Sequence, residues 1–153
     1  MKLLLSPVRL EVRRDYLPLL LIADESDHAV NSYIDEGEMF SILYNDQLAG
    51  VILFTPVNEG ILEIKNFAIL PEFRGKGLGK AAINVVLSLY KKRKVKKILV
   101  GTANSSIDNI AFYQKAGFRM YEIKRDFFSE YTEPIYENGI RALDMVMFER
   151  ELV

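Results

Sequence analysis

The most chemically suggestive stretch of the 153-residue chain is Ile69-Leu70-Pro71-Glu72-Phe73-Arg74-Gly75-Lys76-Gly77-Leu78-Gly79-Lys80-Ala81. Three glycines at alternate positions let a backbone take torsions closed to other residues and approach a ligand closely. An apolar periodicity follows at once, so the loop opens a helix whose first N–H groups have no partner within it. With Arg74, Lys76 and Lys80 beside them, the product is an anion site suited to a pyrophosphate. Two common nucleotide loops do not fit. Ala81 stands where the Walker pattern needs a hydroxyl, and Gly75, Gly77 and Gly79 give G-x-G-x-G rather than G-x-G-x-x-G. Other chemistries are excluded by composition. With no cysteine there is no thiolate nucleophile or disulfide, and the single histidine, His28, cannot build a His-rich metal cluster.

The elements that must position this loop are legible in outline. Leu3 to Val12 reads as a strand interrupted at Pro7. Asp15 is placed to cap a helix through Leu17, Leu19, Leu20 and Ile22, with a short second helix through Ala29, Tyr33 and Ile34. Phe40 to Tyr44 and Leu48 to Phe54 form a hairpin about Asn45-Asp46-Gln47, and Ile61 to Leu70 is a longer strand. Leu78, Ala82, Val85 and Leu89 fall at helical spacing, broadened by Ile83, Val86 and Tyr90 into a face left with little contact to water. Ile98 to Gly101 is a short buried strand. Ile107 to Ala116 is a helix stopped by Gly117, and Phe118–Phe128 and Ile140–Glu149 are closing strands. The order gives one mixed α/β domain over residues 1–153, with helices against a sheet.

Arg74-x-x-Gly77-x-Gly79 resembles the R/Q-x-x-G-x-G/A signature of the GCN5-related N-acetyltransferases (GNAT). Glu63 to Glu72 resembles that family's central strand, and Ala111-Phe112-Tyr113-Gln114-Lys115-Ala116-Gly117-Phe118 its later helix. The resemblance covers most of residues 40 to 125. It implies a mostly antiparallel mixed sheet flanked by helices, with central strands that splay. It implies acetyl-coenzyme A as cosubstrate and no metal. Backbone N–H groups of Arg74, Gly75, Lys76, Gly77, Leu78, Gly79 and Lys80 would hold the pyrophosphate. The pantetheine arm would bond the strand near Phe67, Ala68 and Ile69. Many family members carry an asparagine seven residues before the tyrosine; here that position is Ser106, and Asn104 lies nine before, so the resemblance leaves the contact open between the two.

Acetyl transfer to an amine needs a neutral nucleophile, although a lysine-like amine has a pKa of ~10.4. It also needs donors for the developing oxyanion and a proton for the leaving thiolate. Ser106, Asn109 and Tyr113 share a helix face that should point to the cofactor, with Ile107 and Ala111 turned inward. Tyr113 is the candidate acid, a role that tyrosines in this setting often play in the resembled family. Glu63 is the candidate base, through a water. Strict alternation puts Glu63, Lys65, Phe67 and Ile69 on one face and Ile64, Asn66 and Ala68 on the other, unless a bulge disturbs it. Asn66 could orient the acceptor instead.

Twenty Lys and Arg nearly cancel 21 Asp and Glu, which argues against a general nucleic-acid binder. The cancellation is local. Lys91-Lys92-Arg93-Lys94-Val95-Lys96-Lys97 carries six cations, and removing them from the net −1 leaves −7 for the rest. That block reads as a solvated helix end roughly 20 Å from the glycine loop. Acidic residues gather at 24–38, and Glu130, Glu133 and Glu137 are interleaved with Tyr131, Pro134 and Tyr136. In the resembled family these segments wall the acceptor site. Glu130, Glu133 and Tyr136 are thus expected to attract a cationic amine. No apolar run approaches ~18 residues, so the expected setting is cytoplasmic, away from membrane and nucleic acid, with a homodimer permitted. The expected activity is direct transfer of acetyl to a primary amine in a ternary complex. The alternative is a catalytically silent coenzyme A-binding sensor.

Overall fold

The computed structural model describes residues 2–129 and 131–152. Strand β1 (Leu3–Pro7) leads through a 3-10 helix (Leu10–Tyr16) to helices α1 (Leu17–Ala23) and α2 (Asp27–Tyr33). Strands β2 (Glu38–Tyr44), β3 (Gln47–Asn58) and β4 (Ile61–Ile69) follow, then a 3-10 turn (Pro71–Phe73) and helix α3 (Leu78–Lys92). The chain ends with β5 (Lys97–Ala103), α4 (Ile107–Lys115), β6 (Arg119–Lys124), the two-residue strands β7 (Tyr136–Glu137) and β8 (Ile140–Arg141), and β9 (Met145–Glu151). Seven strands form one sheet in the order β1-β2-β3-β4-β5-β9-β6, while β7 and β8 pair apart from it. All pairings are antiparallel except β4 with β5.

Local chemistry explains the boundaries. Asn45 and Asp46 both take positive φ, so β2 and β3 are joined by a tight two-residue turn and Gln47 already pairs with Tyr44. Ser26 caps α2 by accepting the Ala29 N–H at 3.1 Å. The first strand ends at Pro7 rather than Val12. After Val8 N–H bonds the Met39 carbonyl, the chain winds into the 3-10 helix that contains Asp15. Near the C-terminus, β6 stops at Lys124 because Asp126 turns with φ 60° and donates its N–H to the Asp144 carboxylate. The expected strand over 140–149 is split at Leu143 and Asp144, whose N–H groups both bond Asn104 Oδ1.

The sheet separates two apolar layers. Phe40, Ile52, Phe54, Ile64, Ile98 and Phe148 pack beneath α3, with Tyr113 of α4 joining the same layer. On the other face, Val51, Leu53 and Ala68 pack against Leu19, Leu20, Val30 and Ile34 of the first helices. Helix α3 keeps Val85 exposed, so its wet face is wider than the periodicity suggested. Within the basic block, Arg93 pairs with Glu38 at 2.9 Å and Lys97 with Glu149 at 3.3 Å.

The central aromatic cluster sets a measurable limit. Phe54 is fully buried, and its ring meets Tyr90 at 4.9 Å between centroids and Phe40 at 6.4 Å. Phe54→Ala should therefore destabilise the domain by about 3–5 kcal/mol, read as a lower urea midpoint with unchanged m-value.

Candidate active site

The parallel ladder between β4 and β5 lasts four residue pairs, from Ile61–Lys97 to Ile64–Val100. The two strands then part. At the same point the β3–β4 register slips, Leu53 facing Asn66 and Phe54 facing Ile64, so Lys65 is bulged out. A bulge of this kind bends and twists its strand. From Lys65 to Ile69, β4 keeps β3 on one side and has no strand on the other. The open backbone edge is a ready hydrogen-bonding surface.

The bulge also resets which residues share a face, correcting the strict alternation expected from sequence. Ile64, Phe67 and Ile69 all lie on the α3 side. Asn66 and Ala68 lie on the side of α1 and α2, where Asn66 donates to the Leu20 carbonyl and to the Tyr33 hydroxyl, both at 2.9 Å. Glu63, alternating with Leu62 and Ile64, takes that same side, half-buried.

Beyond β4 the glycine loop does what its composition asks. Gly75 and Gly77 both sit at φ 76°, in the left-handed region, and Gly77 caps α3. The first helical bond runs from Ala81 N–H to the Gly77 carbonyl. The preceding N–H groups at the helix start lack backbone partners among the described residues and carry the positive end of the helix dipole. Gly79 serves packing: a Cβ there would come within 3.2 Å of the Phe112 ring. Phe112 in turn lies 6.1 Å from Phe67, so α3, β4 and α4 converge at this point. Arg74 pins the loop by donating from Nε to the Ile69 carbonyl at 3.0 Å.

One cavity of about 1060 Å³ joins the loop, the open edge of β4 and the space beneath α4. Glu63, Asn66, Phe67, Ala68, Ile69, Arg74, Gly75, Gly77, Leu78, Gly79, Lys80, Ser106, Asn109 and Tyr113 all line it. Tyr113 is 7% exposed and packed edge-on between Phe112 and Phe118. Burial alone drives its phenol pKa up, so it holds its proton throughout the neutral range.

Other expected contacts lie elsewhere. Lys76 does not line the cavity. Neither does Asn104, whose amide donates to the Arg141 carbonyl and whose oxygen accepts from Leu143 and Asp144. Of the two residues left open from sequence, only Ser106 faces the cavity. Its hydroxyl donates to Glu137 at 2.7 Å, and the Ser105 hydroxyl donates to the same oxygen. Ile107 is exposed rather than inward. Glu133 is exposed and Tyr136 is 63% exposed, and neither lines the cavity. Glu130 lies outside the described residues. Within the acidic loop Glu137 both ties to the β5–α4 turn and lines the cavity, together with Tyr131, Ile135 and Asn138, and with Phe127 and Phe128 just before the loop.

Sequence reasoning missed the aromatic wall and a polar chain on the α1 side. Tyr33, which accepts from Asn66, donates to Asp24 Oδ2 at 3.1 Å, and Tyr131 approaches Asp24 Oδ1 at 3.5 Å. Burial, with the nearby Asp24 carboxylate, holds both tyrosines above their ordinary pKa. The clustering of Asp24 with Glu25 was the available signal, but its connection to β4 is made only by the fold.

Known proteins share this arrangement along the whole chain. The uncharacterized N-acetyltransferase YvbK of Bacillus subtilis is 38% identical over 143 residues, covering 93% of this chain and 92% of its own. A Bacillus subtilis acetyltransferase solved in complex with CoA superposes with a TM-score of 0.91 at 37% identity, covering 99% and 100% of the two chains. A GNAT family acetyltransferase from Elizabethkingia anophelis, solved with acetyl-CoA bound, gives 0.90 at 35% identity over 97% of each chain. The profile of the acetyltransferase (GNAT) family matches residues 8–118, which hold the split strands, the glycine loop and Tyr113. The chain belongs to the GNAT family and is an N-acetyltransferase.

Proposed function

We propose that the protein transfers the acetyl group of acetyl-CoA directly to a primary amine within a ternary complex. The observation that carries this reading is the continuity of one cavity from the N-terminus of α3, along the open edge of β4, to Tyr113. The loop N–H groups, Arg74 and Lys80 suit the pyrophosphate. The unpaired edge at Phe67–Ile69 suits the amides of the pantetheine arm, and placing the thioester there brings its sulfur toward Tyr113. The residues present therefore fit acetyl-CoA.

Each remaining step belongs to side chains of this chain. Glu63 holds a water that takes a proton from the attacking nitrogen. As the new C–N bond forms, the C–S bond breaks and the sulfur departs with its electron pair. Tyr113 gives its phenolic proton to that thiolate and recovers one from solvent, while the proton collected by Glu63 leaves to solvent. Orientation of the two reactants supplies much of the remaining acceleration. The alternative is a silent coenzyme A sensor in which Tyr113 serves only the packing of the core, and release of free thiol with an amine panel separates the two readings.

Two substitutions test the halves of the site. Gly77→Ala forces a side chain into the left-handed region at a cost of roughly 1–2 kcal/mol. Its Cβ meets nothing within 4 Å, so the effect comes from the backbone alone. CoA should bind about tenfold more weakly by calorimetry; unchanged affinity would dissociate the loop from the pyrophosphate. Tyr113→Phe preserves the ring packing and removes the proton. It should lower kcat about a hundredfold or more, evenly across the neutral pH range, with CoA affinity intact.

A further inference from the structure

We propose that Lys65 is a site of self-acetylation, its side-chain amine taking the acetyl group from acetyl-CoA bound in the same chain. The inference rests on the acetyl transfer reading above and adds a modification site on the protein itself.

Lys65 is the residue bulged out of β4 where the ladder to β5 ends, and it is exposed and lines the cavity. With the pyrophosphate at the start of α3 and the pantetheine arm along the open edge, the cofactor runs back along β4 from Ile69 toward Phe67. The stretch of strand from Ile69 to Lys65 spans roughly 13 Å. The acyl end of the cofactor therefore arrives at the bulge.

The fold also sets the side from which this amine comes. Lys65 Nζ lies over the Tyr33 ring, 5.6 Å from its centroid. Tyr33 belongs to α2, and its hydroxyl is fixed by accepting from Asn66 and donating to Asp24. The amine thus sits on the α1 and α2 side of the sheet, the side that Glu63 takes, whereas Tyr113 lies in the layer beneath α3. Amine and acid flank the open edge from opposite faces and do not compete for space. Lys65 enters none of the ion pairs among the described residues, and its contact with the ring is weak at an exposed position. Its flexible stem lets the amine swing from the ring to the open edge.

Other lysines on the cavity wall serve as internal comparisons. Lys80 stands in the first turn of α3, Lys115 at the end of α4 and Lys124 at the end of β6, opposite Met145. Only Lys65 is on β4 at the acyl end. The step balances with acetyl-CoA alone. The neutral Lys65 amine bonds the thioester carbonyl carbon as the C–S bond breaks. The sulfur leaves with the electron pair and takes the Tyr113 proton, and the proton lost by nitrogen passes to the water at Glu63. The products are free coenzyme A and an acetylated, uncharged Lys65.

The test is incubation of the whole protein with acetyl-CoA and no other amine, followed by peptide mass spectrometry. Lys65 should gain acetyl at least about tenfold faster than Lys80, Lys115 or Lys124, the mark of an oriented encounter. Its rate per chain should not change with protein concentration. Tyr113→Phe should slow Lys65 about a hundredfold or more and leave the other lysines as they were, and Lys65→Arg should remove the fastest-labelled site. An unmodified Lys65 would overturn the proposal. So would labelling that Tyr113→Phe leaves untouched, which marks plain chemical acetylation, or a rate proportional to protein concentration, which marks transfer between chains. If added amines turn over while Lys65 stays unmodified, the transfer reading stands and this proposal falls. If Lys65 is labelled as expected but no added amine releases thiol, the small-amine acceptor falls and the modification site stands.

Discussion

Everything at the site depends on the parallel pairing of β4 and β5 ending after four residue pairs. A continuous ladder would satisfy the backbone of Phe67–Ile69 internally and close the cavity. The bulge at Lys65 falls just where the pairing stops, and its added twist carries β4 away from β5. The sheet remains intact on both sides of the split, held by β1–β3 on one side and by β9 and β6 on the other. The opening is thus a local interruption within a rigid frame. Donors and acceptors left free there are pre-organised rather than mobile.

The bulge also brings the chemistry to a single face. Without it Glu63 and Asn66 would project to opposite sides of β4, one toward α3 and one toward α1. With it, both project to the side of α1 and α2, while Phe67 remains on the α3 side against Phe112. One extra residue therefore divides the strand into two functional registers.

Much of this was legible from sequence, and the parts that were not share a cause. The glycine loop, the helix behind it and the helix bearing Tyr113 are specified by local spacing and by residues with fixed conformational meaning, such as Gly77 and Gly117. The hairpin at Asn45-Asp46 is equally local. Asn104 misled because an asparagine in a turn offers both a donor and an acceptor, and which partners it finds depends on a segment some forty residues away. The acidic loop misled in the same way. Glu137, one of its three carboxylates, accepts from two serine hydroxyls some thirty residues away in sequence. Asp24 counted only as one of several carboxylates until the fold joined it to Asn66 through Tyr33. The expected strand from Phe118 to Phe128 was overlong because its apolar residues belong to two structures, β6 and the aromatic wall of the cavity.

The attachment of the β7–β8 hairpin has an evolutionary consequence. Glu137 and Asn138 bond Ser105 and Ser106, and Asn104 holds the chain at 141–144, so both ends of this excursion are moored to one three-residue turn. The aromatic residues before the mooring can be exchanged without pulling on the half that carries the glycine loop. Acceptor choice and donor binding can then diversify separately, and a lineage can try new amines while keeping its acetyl source.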